Sequence, residues 1–146
     1  MLKDVLDSEP EYRQCLYRRG FLVTNTERFD MSGYPFYGNW TGTDLDGFFF
    51  YVHVDQNLFQ YKTDMGVFFL IGHAYNPFSM IHDEHEILEL MSSAYDSSEA
   101  DYIRLLNELT GVFTIGFVRD GTLVFFDDAC GMQSTYYGLI DGTLYV

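Results

Sequence analysis

The stretch 112–119, Val-Phe-Thr-Ile-Gly-Phe-Val-Arg, has no polar face. Alternation puts Phe113, Ile115 and Phe117 on one side and Val112, Thr114, Gly116 and Val118 on the other. Successive side chains of a strand point to opposite faces, so a strand that is apolar on both must be covered on both. Asp120-Gly121 closes this strand into a hairpin with residues 122–126, because both central residues of the favoured two-residue turn take positive φ. A second such pair, Asp141-Gly142, joins 134–140 to 143–146 in the same way. An antiparallel sheet that needs two covers implies a second sheet on one side and helices on the other, a layered α+β sandwich.

The helices for that cover are legible in the middle of the chain. Ile87, Leu88, Leu90, Met91 and Tyr95 recur at helical spacing, and Tyr102, Leu105, Leu106 and Leu109 do so after a break at Asp96-Ser97-Ser98. Before them, 21–25, 47–54, 58–62 and 66–72 read as strands. Polar turns at Asp55-Gln56-Asn57 and Thr63-Asp64-Met65 make these an antiparallel meander. Residues 10–19 tolerate a helix with Tyr12, Cys15 and Leu16 turned inward, stopped by Gly20. Residues 34–47 read as an irregular loop; its aromatics Tyr34, Phe36, Tyr37 and Trp40, with Phe48 to Tyr51, either stack a ligand or, the commoner case, cover a strand edge. At 146 residues and 47% hydrophobic, with no repeat or linker, residues 1–146 form one domain.

Charge narrows the functions open to it. With 22 acidic against 8 basic side chains and a formal net charge of -14, the chain lacks the basic footprint that nucleic acid or an anionic membrane surface requires. Cys15 and Cys130 are too few for a disulfide framework and read as free thiols in small core positions. No secretory pattern or membrane-length apolar run is present, so a cytoplasmic protein is expected. Asp127-Asp128 resembles a carboxylate pair, but strand neighbours point to opposite faces, which argues against paired acid and base work.

His82-Asp83-Glu84-His85-Glu86 admits two readings. His82 and His85, three residues apart, share a helix face and with Glu86 or Asp83 form part of a divalent-metal site. Alternatively Asp83 is the N-cap of the following helix, with Glu86 three residues on completing a capping box.

Four segments, in order, carry a family resemblance. Ile71-Gly72-His73-Ala74-Tyr75-Asn76 resembles the Asn-Gly-Glu-Ile-Tyr-Asn segment of class II glutamine amidotransferases of the asparagine synthetase family, and Glu84-His85-Glu86-Ile87-Leu88 resembles its Asp-Thr-Glu followed by two aliphatics. Leu109-Thr110-Gly111-Val112-Phe113-Thr114-Ile115 is similar to its Leu-x-Gly-x-Phe-Ala-Phe strand, and Asp127-Asp128-Ala129-Cys130-Gly131 with Tyr136-Tyr137 to its Arg-Asp-x-x-Gly-x-x-Pro-Leu-Tyr-Tyr. The resemblance implies the Ntn-hydrolase fold, a four-layer αββα sandwich of antiparallel sheets.

It also sets chemical demands, which need no cofactor. The family's nucleophile is an N-terminal cysteine whose α-amine is the base. Met1-Leu2 does not supply it, and Cys15 does so only after processing. Of the family's two oxyanion donors, the Gly amide has its counterpart in Gly72, but Ile71 replaces the Asn, a change that typically costs about 10² to 10³ in rate. Glu84 stands where an Asp holds the glutamine α-amino group, and no Arg-Gly-Pro-Asp equivalent is present. Gly72, Tyr75, Asn76 and Glu84 are thus the remnant of a substrate site. The resemblance implies a degenerate amidotransferase domain without glutaminase activity, in a structural or interaction role. Its partners would be a C-terminal ATP-dependent synthetase domain of a longer chain, a separate partner protein or a second copy in a homodimer. An active glutaminase processed to Cys15 and a metal-binding domain through His82 and His85 are the alternatives.

Overall fold

The computed structural model describes residues 2–26 and 38–146, as an α+β fold with two antiparallel sheets. The chain opens with α1 (Leu2–Ser8) and a 3-10 turn (Pro10–Cys15), then runs β1 (Phe21–Thr24), β2 (Trp40–Leu45), β3 (Phe48–His53), β4 (Leu58–Thr63) and β5 (Gly66–Tyr75). Two helices follow, α2 (Glu84–Ser97) and α3 (Glu99–Glu108), and then β6 (Thr110–Arg119), β7 (Thr122–Asp127), β8 (Gly138–Ile140) and β9 (Thr143–Tyr145). One sheet has the order β4-β5-β6-β7 and the other β2-β3-β1-β9-β8.

The two-faced strand occupies the position its pattern requires. On one face of the β4–β7 sheet, Phe68, Leu70, Phe113, Ile115 and Phe117 pack with Ile87, Leu88 and Met91 of α2 and Tyr102 of α3. On the other, Val67, Phe69, Ile71 and Val118 meet Val23, Phe48, Phe50 and Val52 of the second sheet, with the Phe50 and Phe69 rings 4.8 Å apart. The β4–β7 sheet is therefore the middle layer between helices and an outer sheet. The helices are held at their starts by side chains: Asp83 accepts from the backbone N–H of His85 and Glu86, and Ser98 from that of Asp101.

The Asp-Gly turns behave as their chemistry demands, with Asp120 and Gly121 at φ 50° and 70° and Asp141 and Gly142 at 50° and 80°. Asp46-Gly47, at 52° and 86°, is a third, joining β2 to β3. The 34–47 loop therefore gives way to a strand from Trp40 onward, while Tyr34, Phe36 and Tyr37 lie outside the described residues.

Other expectations are corrected. The meander breaks at 55–57, because β3 belongs to the outer sheet and β4 to the middle one. The 10–19 helix is only a 3-10 turn, since Tyr17 and Arg19 take left-handed backbone (φ 50° and 61°) that no α-helix accommodates; Tyr12 and Cys15 are exposed. The last strand before Asp141 begins at Gly138 and not at residue 134, leaving Tyr136 and Tyr137 about four-fifths exposed (83% and 78%) instead of packed on a sheet. Cys130 is exposed as well.

The outer sheet is covered at one end by the segment before β1. The backbone N–H of His53 donates to the Gly20 carbonyl, the Trp40 ring lies against Gly20, and the Arg18 guanidinium pairs with Asp55 at 2.7 Å. No described helix is long and apolar enough to cross a membrane.

Candidate functional site

Of the residues of the resemblance, Gly72, Tyr75, Asn76 and Glu84 lie where β5 ends and α2 begins. Gly72 sits at φ 100°, and a Cβ there would lie 2.2 Å from the Val112 carbonyl oxygen of the neighbouring strand, so only glycine fits. Its N–H, the group that the family would aim at an oxyanion, donates to the Asn57 carbonyl at 3.0 Å. Ile71, at the Asn position, is fully buried between the two sheets. One donor position is thus occupied by a backbone bond and the other by a hydrocarbon that the core needs.

The acidic position has found a different partner. Glu84 Oε1 lies 2.9 Å from His73 Nδ1, and His73 Nε2 lies 2.8 Å from Asn57 Nδ2. With the carboxylate accepting from Nδ1–H, Nε2 accepts from the Asn57 amide, and both ring nitrogens are engaged. Asn57 therefore ties the end of β5 twice, through its carbonyl to Gly72 and through its amide to His73. The network links the loop before β4, the end of β5 and the first turn of α2. Phe59 completes it, presenting an edge contact to His85 at 5.4 Å and to His73 at 6.4 Å.

Tyr75 and Asn76 are also spent on structure. Tyr75 stacks on His82, with centroids 5.7 Å apart and 28° between planes. Asn76 is buried, donates from Nδ2 to Glu108 at 3.0 Å and accepts at Oδ1 from the N–H of Phe78 and Ser79. It pins the 76–81 turn to the end of α3.

Of the two readings of 82–86, the cap is formed. Asp83 Oδ1 accepts from His85 N at 2.8 Å and Glu86 N at 3.1 Å, and α2 starts at Glu84. His82 precedes the cap and so shares no helix face with His85; the two engage different aromatic rings, and Glu86 is exposed. Among the described residues no three His, Cys, Asp or Glu side chains group to hold a metal.

Cys15 ends the 3-10 turn, and residues 16–20 separate it from β1, so its thiol does not stand at the head of that strand. Asp127 and Asp128 have separate environments, as their alternation implies. Asp127 takes the hydroxyls of Thr114 and Thr135. Asp128 is buried and accepts from the N–H groups of Cys130, Met132 and Gln133. Burial is the largest single influence on its carboxyl and opposes ionisation, but the backbone bonds together outweigh it and hold the pKa below the ordinary value.

His73 and Asn57 were the members of this site that sequence reasoning missed. The available signal was a histidine at the Glu position of the Asn-Gly-Glu segment, opposite an acid at the Asp position. No protein-family model and no curated protein matches the chain.

Proposed function

We propose that this chain is an amidotransferase-like domain of Ntn-hydrolase type that has lost glutaminase chemistry and serves as a structural or interaction module. The observation that carries the reading is the Gly72 N–H bonded to the Asn57 carbonyl beside a fully buried Ile71. An oxyanion hole works through donors held ready for charge that develops in the transition state. Here the Gly72 N–H is available only by breaking a strand-end hydrogen bond, and the buried Ile71 side chain has no donor to offer. The order of elements, with two helices covering one face of a sheet pair, supports kinship with the αββα sandwich.

In an interaction role the exposed apolar surface gains a use. Tyr136, Tyr137, Leu139 and Ile140 are 83%, 78%, 73% and 63% exposed, at and beside the edge strand β8. Apolar residues clustered at a sheet edge mark a contact surface more than an isolated one does. The occupant in this reading is an ATP-dependent synthetase domain, in the same chain or a separate one, supplied with ammonia directly.

Ammonia release from glutamine tests the loss of chemistry. The intact chain, its N-terminus verified by mass, is expected to release none above a protein-free blank, and catalytic turnover would overturn the proposal.

A further inference from the structure

Of the four edge strands described, three carry a charged residue, Asp44 in β2, Lys62 in β4 and Asp127 in β7, and β8 carries none. Charges on an edge keep it from pairing with another chain, so β8 lacks the protection that the other edges have. Around it, Asp141 is the only charged residue of 132–146.

The bonds of β9 show which way the backbone of β8 points. Leu144 N–H donates to Asn25 Oδ1 and Val146 N–H to the Val23 carbonyl, both on the β1 side. Bonding direction alternates along an antiparallel strand, so Thr143 and Tyr145 face Ile140 and Gly138, and the Leu139–Leu144 pair is not hydrogen-bonded. The N–H and C=O of Leu139 therefore point outward, away from β9, where no described strand lies. Leu139 stands opposite Leu144 on the side of the inter-sheet core and Ile140 on the other face, and the two are 73% and 63% exposed. Unlike β6, this strand is apolar on both faces and covered on neither.

Charge selects the occupant. A second copy would bring another -14 against the same edge. A neutral or basic chain meets no such repulsion, and a Lys or Arg on it pairs with Asp141 at the end of β8. Given the interaction role proposed above, we propose that the partner docks by adding an extended apolar segment beside β8, its backbone exchanging hydrogen bonds with Leu139 and a basic residue reaching Asp141. A three-residue edge offers few backbone bonds, so Tyr136, Tyr137, Leu139 and Ile140 supply the remaining contact.

The probe is the capped peptide Lys-Val-Thr-Val-Thr-Val-Lys, titrated to millimolar concentration into the isotope-labelled protein and followed by two-dimensional NMR. A saturable shift and slowed exchange of the Leu139 N–H are expected, with β4 unmoved. The same peptide N-methylated along its length should lose both effects, and one with Glu for both Lys should bind several-fold more weakly. Leu139→Pro removes the outward N–H without touching the β8–β9 ladder, and should abolish binding with the Ile140 N–H still protected. A Leu139 N–H that stays put, equal shifts with the N-methylated peptide, or equal affinity for the Glu form would each overturn the proposal. So would a dimer of the chain alone, seen by sedimentation, that Leu139→Pro dissolves. Should Leu139→Pro fail to fold, the N-methylated peptide decides on the unaltered protein. None of these outcomes depends on glutamine turnover, so strand addition and the loss of glutaminase chemistry fail separately.

Discussion

His73 and His53 lie on different sheets and differ in opposite senses. His73 is largely exposed, with 70% of its side chain accessible, yet both nitrogens are held, by Glu84 and Asn57. His53 is 2% exposed, yet one nitrogen is unspent. Exposure and hydrogen-bond satisfaction are thus separate properties. Around the end of β5 the polar atoms fasten one another, while on the outer sheet a buried ring nitrogen is left without a partner.

The largest effect is expected where the fastening is backbone. Gly72→Ala forces a Cβ against the Val112 carbonyl at a left-handed φ, and should cost about 3 kcal/mol or more in urea unfolding. A cost below about 1 kcal/mol would mean that the end of β5 can move, and with it the Gly72 amide.

Asp128 is a fastening of the same kind, and Asp128→Ala leaves three backbone donors without their acceptor. The expected loss is about 1–3 kcal/mol. Its folded pKa lies below the unfolded value of 3.8, so its contribution is fully present above pH ~4 and is lost as pH falls through the folded pKa. The unaltered protein should lose stability over that acid range. Asp128→Asn should remove this part of the slope, which stability curves against pH would show.

The two histidines themselves should respond unequally. His73→Ala removes two bonds and should destabilise by about 0.5–1.5 kcal/mol. His53→Phe removes an unpartnered buried donor but also the Nδ1 acceptor of the Asp55 N–H, so the two changes offset and the net loss should be smaller than for His73→Ala. Equal losses from both would break the contrast. The smallest expected effect is that of zinc, which should leave the melting temperature of the intact chain and of His82→Ala/His85→Ala unchanged. A rise confined to the intact chain would restore the metal reading.

Much of the fold was legible because its signals are local. The two-faced pattern of β6, the Asp-Gly turns and the periodicity of α2 and α3 act within a few residues, and Asp83 was readable as a cap from spacing alone. Strand β2 went unread because Gly42 and Asp44 interrupt its apolar pattern, although Asp46-Gly47 carried the hairpin signal. The split of β3 and β4 between sheets was not readable, since periodicity reports which face is buried and not which strand is next. At 134–137, the β-prone Thr135, Tyr136 and Tyr137 suggested a strand, but pairing begins only at Gly138.

The candidate site was legible only in its chain-local parts. Gly72 and Glu84 could be named from the motif. The bonds that decide their role join residues 57, 72, 73 and 84 across a strand pair and a helix start, which no spacing rule reaches. The left-handed backbone at Tyr17 and Arg19, which prevents a helix from running on to Gly20, is likewise demanded by nothing in those residue types.

The most direct test is amide exchange at Gly72, followed by two-dimensional NMR in deuterated solvent with and without glutamine. A backbone bond to Asn57 predicts a protected Gly72 N–H whose shift and exchange rate glutamine leaves unchanged. A rapidly exchanging N–H that shifts on adding glutamine, with ammonia appearing in the same tube, would contradict the account.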